Sequence, residues 1–106
     1  MTSRPTDQPI AESPPPGPIR LTAWVHGVVQ GVGFRWWTRS RALELGLTGY
    51  AANQLDGRVL VVAEGSVAAA QHLLAMLRSG ATPGNVDLVV EDFGPARGEF
   101  IGFRER

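Results

Sequence analysis

The sequence predicts an α+β fold: a two-layer α/β sandwich of the ferredoxin-like βαββαβ kind, with an antiparallel sheet and two helices on one face. Three observations predict it. Short runs of alternating apolar residues recur along the chain, each of strand length. Two stretches between them carry apolar residues at helical spacing. Glycine-rich or Asp-Gly turns separate the segments in the order β-α-β-β-α-β, with one further short strand at the end.

Ile19 to His26 alternates Leu21, Ala23 and Val25 against Thr22, Trp24 and His26, which predicts a strand. Phe34 to Leu45 is a predicted helix with Phe34, Trp37, Arg41/Ala42 and Leu45 on one stripe and Gly46 as its stop. Leu47 to Asn53 predicts a second strand, and Gln54-Leu55-Asp56-Gly57 a hairpin turn with an Asp-Gly signal. Arg58 to Glu64 is its partner, Val59 and Val61 alternating with Leu60 and Val62. Ser66 suits the cap of a second helix reaching about Arg78, with Val67, Ala70, Leu74 and Leu77 inward. Residues 80–84 read as a loop, Val86 to Phe93 as a strand, 94–98 as a turn and Phe100 to Arg104 as the last short strand. Met1 to Pro18 holds six of the eight prolines and almost no large apolar side chains. Such a segment cannot bury enough surface to offset its ordering entropy, so a disordered tail is expected for 1–18 and one domain for 19–106.

Composition narrows the chemistry. The 106 residues include no cysteine, which excludes disulfides, thiolate nucleophiles and zinc–cysteine sites. All ten basic residues are arginine, so the lysine of a Walker A phosphate loop has no candidate. No apolar run is long enough to span a bilayer, and no basic-then-apolar signal opens the chain, so the cytoplasm is the expected compartment. Formal net charge is zero but unevenly spread. From Arg20 to Arg58 there are five arginines against Glu44 and Asp56, whereas from Val59 onward there are four against six acids. The basic half suits a small anion more than a long nucleic acid.

That half carries Gly27-Val28-Val29-Gln30-Gly31-Val32-Gly33-Phe34-Arg35 between the first strand and the first helix. Three glycines in seven positions allow a tight turn and positive φ. A turn of this kind at a helix start points successive N–H groups into one concavity, which attracts an anion. Arg35 adds a planar fork of donors shaped for phosphate or carboxylate. A cation is disfavoured at a helix N-terminus unless an anion sits there, which favours a binding role for Arg35. Asparagine begins turns well, so Asn53 by itself reads as a turn residue. Gln30 is expected to brace the loop by hydrogen bonds. The three tryptophans read as packing residues, one of them a candidate to edge the pocket. His26 and His72 have no assigned role. No cluster of His, Asp or Glu with metal-ligand spacing lies near the loop, so neither metal nor cofactor is expected.

The loop, together with Gly49-Tyr50-Ala51-Ala52-Asn53-Gln54-Leu55-Asp56-Gly57-Arg58-Val59, resembles the acylphosphatase family. That family has a Gly-x-Val-Gln-Gly-Val-x-Phe-Arg loop and a downstream Gly-aromatic-Val-x-Asn-x-x-x-Gly-x-Val segment. The likeness runs from about Ile19 to the C-terminus. It implies metal-independent hydrolysis of the carboxyl–phosphate bond of acyl phosphates. By motif position it implies that the backbone of Val28, Val29, Gln30, Gly31, Val32, Gly33 and Phe34, with Arg35, binds the phosphoryl group. The resemblance also implies that Asn53 positions the attacking water. An acyl phosphate as partner follows, with inorganic phosphate or sulfate as competing anion; a monomer is expected, and no nucleic acid or membrane.

The chain also departs from the family pattern. Ala51-Ala52 stands where a β-branched residue and a polar or basic one are usual, which predicts weaker attraction for anionic acyl groups. Glu105 replaces an apolar strand residue and predicts early fraying of the last strand. Two other readings compete. One is a module binding phosphate or carbamoyl phosphate without turnover, as in the acylphosphatase-like domains of hydrogenase-maturation proteins. The zinc-finger cysteines and further domains of those proteins are missing here. The other is single-stranded RNA binding on the open sheet face, which needs aromatics on the two central strands. The first strand offers Trp24 outward, and 58–62 offers none.

Overall fold

A computed structural model describes residues 17–106. The proline-rich stretch expected to be disordered therefore lies, apart from Gly17 and Pro18, outside the described residues. The elements are β1 (Ile19–Val28), α1 (Phe34–Glu44), β2 (Thr48–Asn53), β3 (Val59–Gly65), α2 (Val67–Leu77), β4 (Asn85–Pro95) and β5 (Phe103–Glu105). The strands form one sheet in the order β4-β1-β3-β2-β5. The first four are antiparallel neighbours, as expected, and β5 joins the edge parallel to β2.

Alternation in the strands decides where the helices lie. Leu21, Ala23 and Val25 of β1, Val59, Val61 and Ala63 of β3 and Ala51 of β2 are fully buried. Cross-strand pairing sets Ala23 against Val61 and Ala51 against Val61, so these residues share one face. Both helices cover that face with Phe34 and Ala42 of α1 and Ala70, Leu73, Leu74 and Leu77 of α2. Ser66 caps α2 as predicted, its Oγ accepting from the Ala69 N–H at 3.1 Å.

Several expectations shift. On α1 the buried stripe is Phe34, Thr38 and Ala42, with Trp37 and Leu45 packed beside it only partly buried. On α2, Leu73 is fully buried and Val67 only partly. The last strand is Phe103–Glu105, not Phe100 to Arg104. Phe100 stays out of the ladder because its ring packs edge-on against Tyr50, 5.7 Å between centroids, under the Arg20 guanidinium. Glu105 does not fray the strand. The ladder runs one residue past it, with the Arg106 N–H donating to the Ala51 oxygen at 2.8 Å and the Asn53 N–H to the Arg106 oxygen at 3.0 Å. Backbone pairing needs no particular side chain, and at an edge a carboxylate stays in water.

The Gly65 end of β3 is closed by an internal ion pair. Glu64 is almost wholly buried. One of its oxygens accepts from the Arg20 Nε at 2.7 Å and the Arg97 N–H at 2.9 Å, the other from the Gly98 N–H at 3.0 Å. Burial alone would push this carboxyl up; the Arg97 N–H, Arg20 and the Gly98 N–H outweigh it and hold it below the usual glutamate range. No helix among the described residues is long and apolar enough to cross a membrane.

Candidate active site

The other end of β3 carries the glycine loop. β1 runs two residues past the predicted end, because a register shift between His26 and Gly27 lets Gly27 pair with Val86 and Val28 with Asn85. Val29 and Phe34 are each 1% exposed and anchor the loop at both sides. Gly31, Val32 and Gly33 between them face solvent. Gly31 (φ 73°) and Gly33 (φ 83°, ψ 13°) take the left-handed conformation, and Gly33 is the N-cap of α1. A side chain there would cost roughly 1–2 kcal/mol per residue. The first turn of a helix has no internal acceptors for its N–H groups. Among the described residues, the N–H groups of Gly31 to Phe34 find no protein acceptor. Unpaired N–H groups at the positive end of a helix dipole are the arrangement that suits an anion.

Gln30 ties the loop to the β2–β3 hairpin, its Nε2 donating to the Gln54 oxygen at 2.7 Å and the Arg58 oxygen at 3.0 Å. The bracing expected of it is thus present. The hairpin is held in turn by the Gln54 and Gly57 N–H bonds and by Asp56, which accepts from the Arg58 N–H at 3.1 Å and Nε at 2.7 Å. The Arg58 N–H, then its side chain, holds the exposed Asp56 carboxyl below its usual range.

Arg35 and Asn53 lie on different elements, yet one atom joins them. The Arg35 Nη1 donates to the main-chain oxygen of Arg106 at 2.6 Å, and the Asn53 N–H donates to the same oxygen at 3.0 Å. Arg106 itself is fixed over the Tyr50 ring, its guanidinium 4.0 Å from the centroid. The Asn53 side chain is exposed at the end of β2 and has no partner among the described residues, so its amide is available to a ligand or a water.

A cavity of about 70 Å³ lies against the loop, lined by Val29, Gly31, Gly33, Phe34, Arg35, Trp36 and Glu105. A water takes up roughly 30 Å³ of liquid, so the cavity has room for a small oxyanion. Of the sequence-predicted residues, Val29, Gly31, Gly33, Phe34 and Arg35 line it, while Val28, Gln30, Val32 and Asn53 do not. Trp36, 61% exposed, is the tryptophan at the pocket edge. Arg106 and Glu105 went unassigned at sequence level; only the parallel placement of β5 beside β2 brings them here. Larger hollows exist, of about 490 and 480 Å³, but neither is lined by the glycine loop or by Arg35. No group of three His, Cys, Asp or Glu able to hold a metal occurs among the described residues.

Comparison with known proteins gives the family and the fold. The acylphosphatase family model matches residues 21–105. An acylphosphatase of Rhodococcus jostii (strain RHA1) is 71% identical over 87 residues, 82% of this chain and 98% of that one. The crystal structure of acylphosphatase from Bacillus subtilis is similar with a TM-score of 0.78 at 27% identity, covering 83% of this chain and 98% of its own. An acylphosphatase from Coxiella burnetii gives a TM-score of 0.76 at 32% identity, covering 85% and 94%.

Proposed function

The chain belongs to the acylphosphatase family and is an acylphosphatase acting on acyl phosphates; from that premise we propose how its residues divide the work. The observation that carries the proposal is the shared oxygen of Arg106, which sets the Arg35 fork and the end of β2 beside one nest of N–H groups.

The N–H groups of Gly31 to Phe34 and the Arg35 guanidinium hold the phosphoryl oxygens, and they bind more strongly as charge spreads onto those oxygens in the transition state. The Asn53 amide holds a water in line with the bond to be broken. The water oxygen attacks phosphorus, and the bond from phosphorus to the acyl oxygen breaks. Its electron pair leaves with the acyl group as a carboxylate, and the proton of the water passes to the phosphate formed. A carboxylate is a good leaving group, so neither an acid nor a metal is needed and positioning supplies most of the rate. Gln30 keeps the loop at a fixed distance from the hairpin. Inorganic phosphate and sulfate compete for the nest. We take it to act as a monomer in the cytoplasm. The working domain is residues 19–106, a span supported by the family match.

The test is phosphate release from benzoyl phosphate in H₂¹⁸O with excess chelator. Turnover with label in the phosphate is expected. Label in benzoate, or turnover that needs added Mg²⁺, overturns the mechanism.

A further inference from the structure

Glu105 stands where two hollows meet. It lines the small cavity with Gly31, Gly33 and Arg35, and also the groove of about 490 Å³ bounded by Arg39, Leu43, Ile101 and Arg104. Two further hollows, one by Glu64 and Gly65 and one by Arg20 and Asp92, share no residue with that cavity. Glu105 pairs with Ala51, whose side is the helix face, so its carboxylate points toward α1. From α1, Arg35 donates to the Arg106 oxygen and Arg39, one turn later, to the Phe103 oxygen at 2.9 Å. Glu105 lies between those two acceptors along β5 and makes no ion pair among the described residues.

With the phosphoryl group in the nest, the acyl group has to lie outside the small cavity, and the adjoining groove is the hollow it can enter. It must pass the one negative charge shared by both spaces. The groove also carries positive charge. The Nε of Arg39 is committed to Phe103, and Arg104 pairs with Tyr50 on the opposite face of the sheet from Glu105. We propose that Glu105 sets the acyl preference of the site: acyl groups with a second negative charge are turned away there, while neutral and amine-bearing ones enter. This rests on the phosphoryl reading of the small cavity. It assigns a role to a residue that neither binds phosphate nor positions water.

Two unit charges about 6–8 Å apart in a partly hydrated groove repel enough to change a rate constant roughly three- to tenfold. The experiment compares kcat/KM for benzoyl phosphate with that for 4-carboxybenzoyl phosphate, in the wild type, Glu105→Gln and Asp87→Asn. Asp87 lies on β4 at the far edge of the sheet and changes net charge equally. The ratio of the two substrates cancels any loss of folded protein. The wild type is expected to favour benzoyl phosphate, Glu105→Gln to shift the ratio about three- to tenfold toward the carboxylated substrate, and Asp87→Asn to leave it unchanged. An unchanged ratio in Glu105→Gln, or an equal shift in Asp87→Asn, overturns the proposal with the hydrolysis reading intact. A wild type that releases phosphate from neither substrate removes the phosphoryl reading, and this proposal with it.

Discussion

At the Gly65 end of β3 the Arg97 and Gly98 N–H groups close on the Glu64 carboxylate, and the Arg20 guanidinium closes on it from the strand beside. At the Val59 end, the N–H groups of Gly31 to Phe34 find no acceptor among the described residues, and the Arg35 guanidinium makes one bond, from Nη1 to the Arg106 main-chain oxygen. Glu105 lines the cavity without pairing with Arg35. Backbone amides plus one arginine, the donors that suit an anion, meet in both places. A tethered anion turns such a site into a structural clasp, whereas leaving it open makes it a binding site for an anion from solution. The two ends should therefore respond oppositely to substitution: the open end in activity, the closed end in stability.

The largest effect is expected at Arg35. Arg35→Ala removes the fork from ground and transition states alike, so both KM and kcat should suffer, with kcat/KM down by about 10³-fold or more, roughly 4 kcal/mol. Arg35→Lys should recover little, because a point charge does not reproduce two parallel donors. Phosphate should raise the wild-type melting temperature, an anion at 100 times its Kd adding about 2.7 kcal/mol, and barely affect Arg35→Ala. Equal phosphate shifts in both proteins would show that the anion binds elsewhere and break the comparison.

Asn53→Ala sharpens it. If the amide holds the water but not the phosphoryl group, kcat should fall by about 10²-fold, near 2.7 kcal/mol, with KM and phosphate inhibition within a few-fold of wild type. A residue that only begins the hairpin would lower the melting temperature and leave the kcat of folded protein alone. Steady-state kinetics together with a thermal melt separate the two.

These residues also mark how far the sequence could be read. The glycine loop was legible because its cause is local: positive φ at Gly31 and Gly33, with apolar anchors at Val29 and Phe34. β1 and α2 were legible by period. The meeting of Arg35 with Asn53 was not legible from the residues alone, since it depends on an oxygen some 70 positions away in sequence. The resemblance supplied that pairing, and the structure supplies its means. β5 was misplaced because Phe100 spends its apolar ring on Tyr50, and alternation cannot tell stacking from strand pairing. The Glu64 clasp was invisible for the same reason as Arg106: its partners Arg20, Arg97 and Gly98 are far apart in the chain.

At the closed end, Glu64→Gln keeps the shape and removes the charge. It should cost about 2–3 kcal/mol at neutral pH, below the usual range for a broken buried pair because Arg20 keeps some access to water, and leave kcat/KM near normal. The pH sign follows from a carboxyl held lower when folded than unfolded. Its stabilisation is full above the unfolded value of about 4.3 and fades as the pH falls through the folded one. Urea midpoints of wild type and Glu64→Gln should therefore converge in acid. A gap that stays constant from pH 7 to 3 would mean that the charge of Glu64 is not what clasps the loop.

Thr38 supplies the smallest and cleanest contrast. Its side chain is fully buried on α1, one turn beyond the glycine loop, and its Oγ1 has no hydrogen-bond partner among the described residues. At the open end unpaired donors face water and await a ligand; at the closed end donors are paired with a carboxylate. The Thr38 hydroxyl has neither outlet, so it is a plain cost of burial. Thr38→Val replaces it with a methyl group of similar shape and leaves nothing orphaned, so stability should rise by up to about 1 kcal/mol. For a domain of this size that is roughly 4–8 °C in melting temperature. Activity and phosphate inhibition should stay within twofold, because Thr38 does not line the cavity. A lower melting temperature in Thr38→Val would show that the hydroxyl does find a partner in solution, and that α1 carries a polar tether in its core.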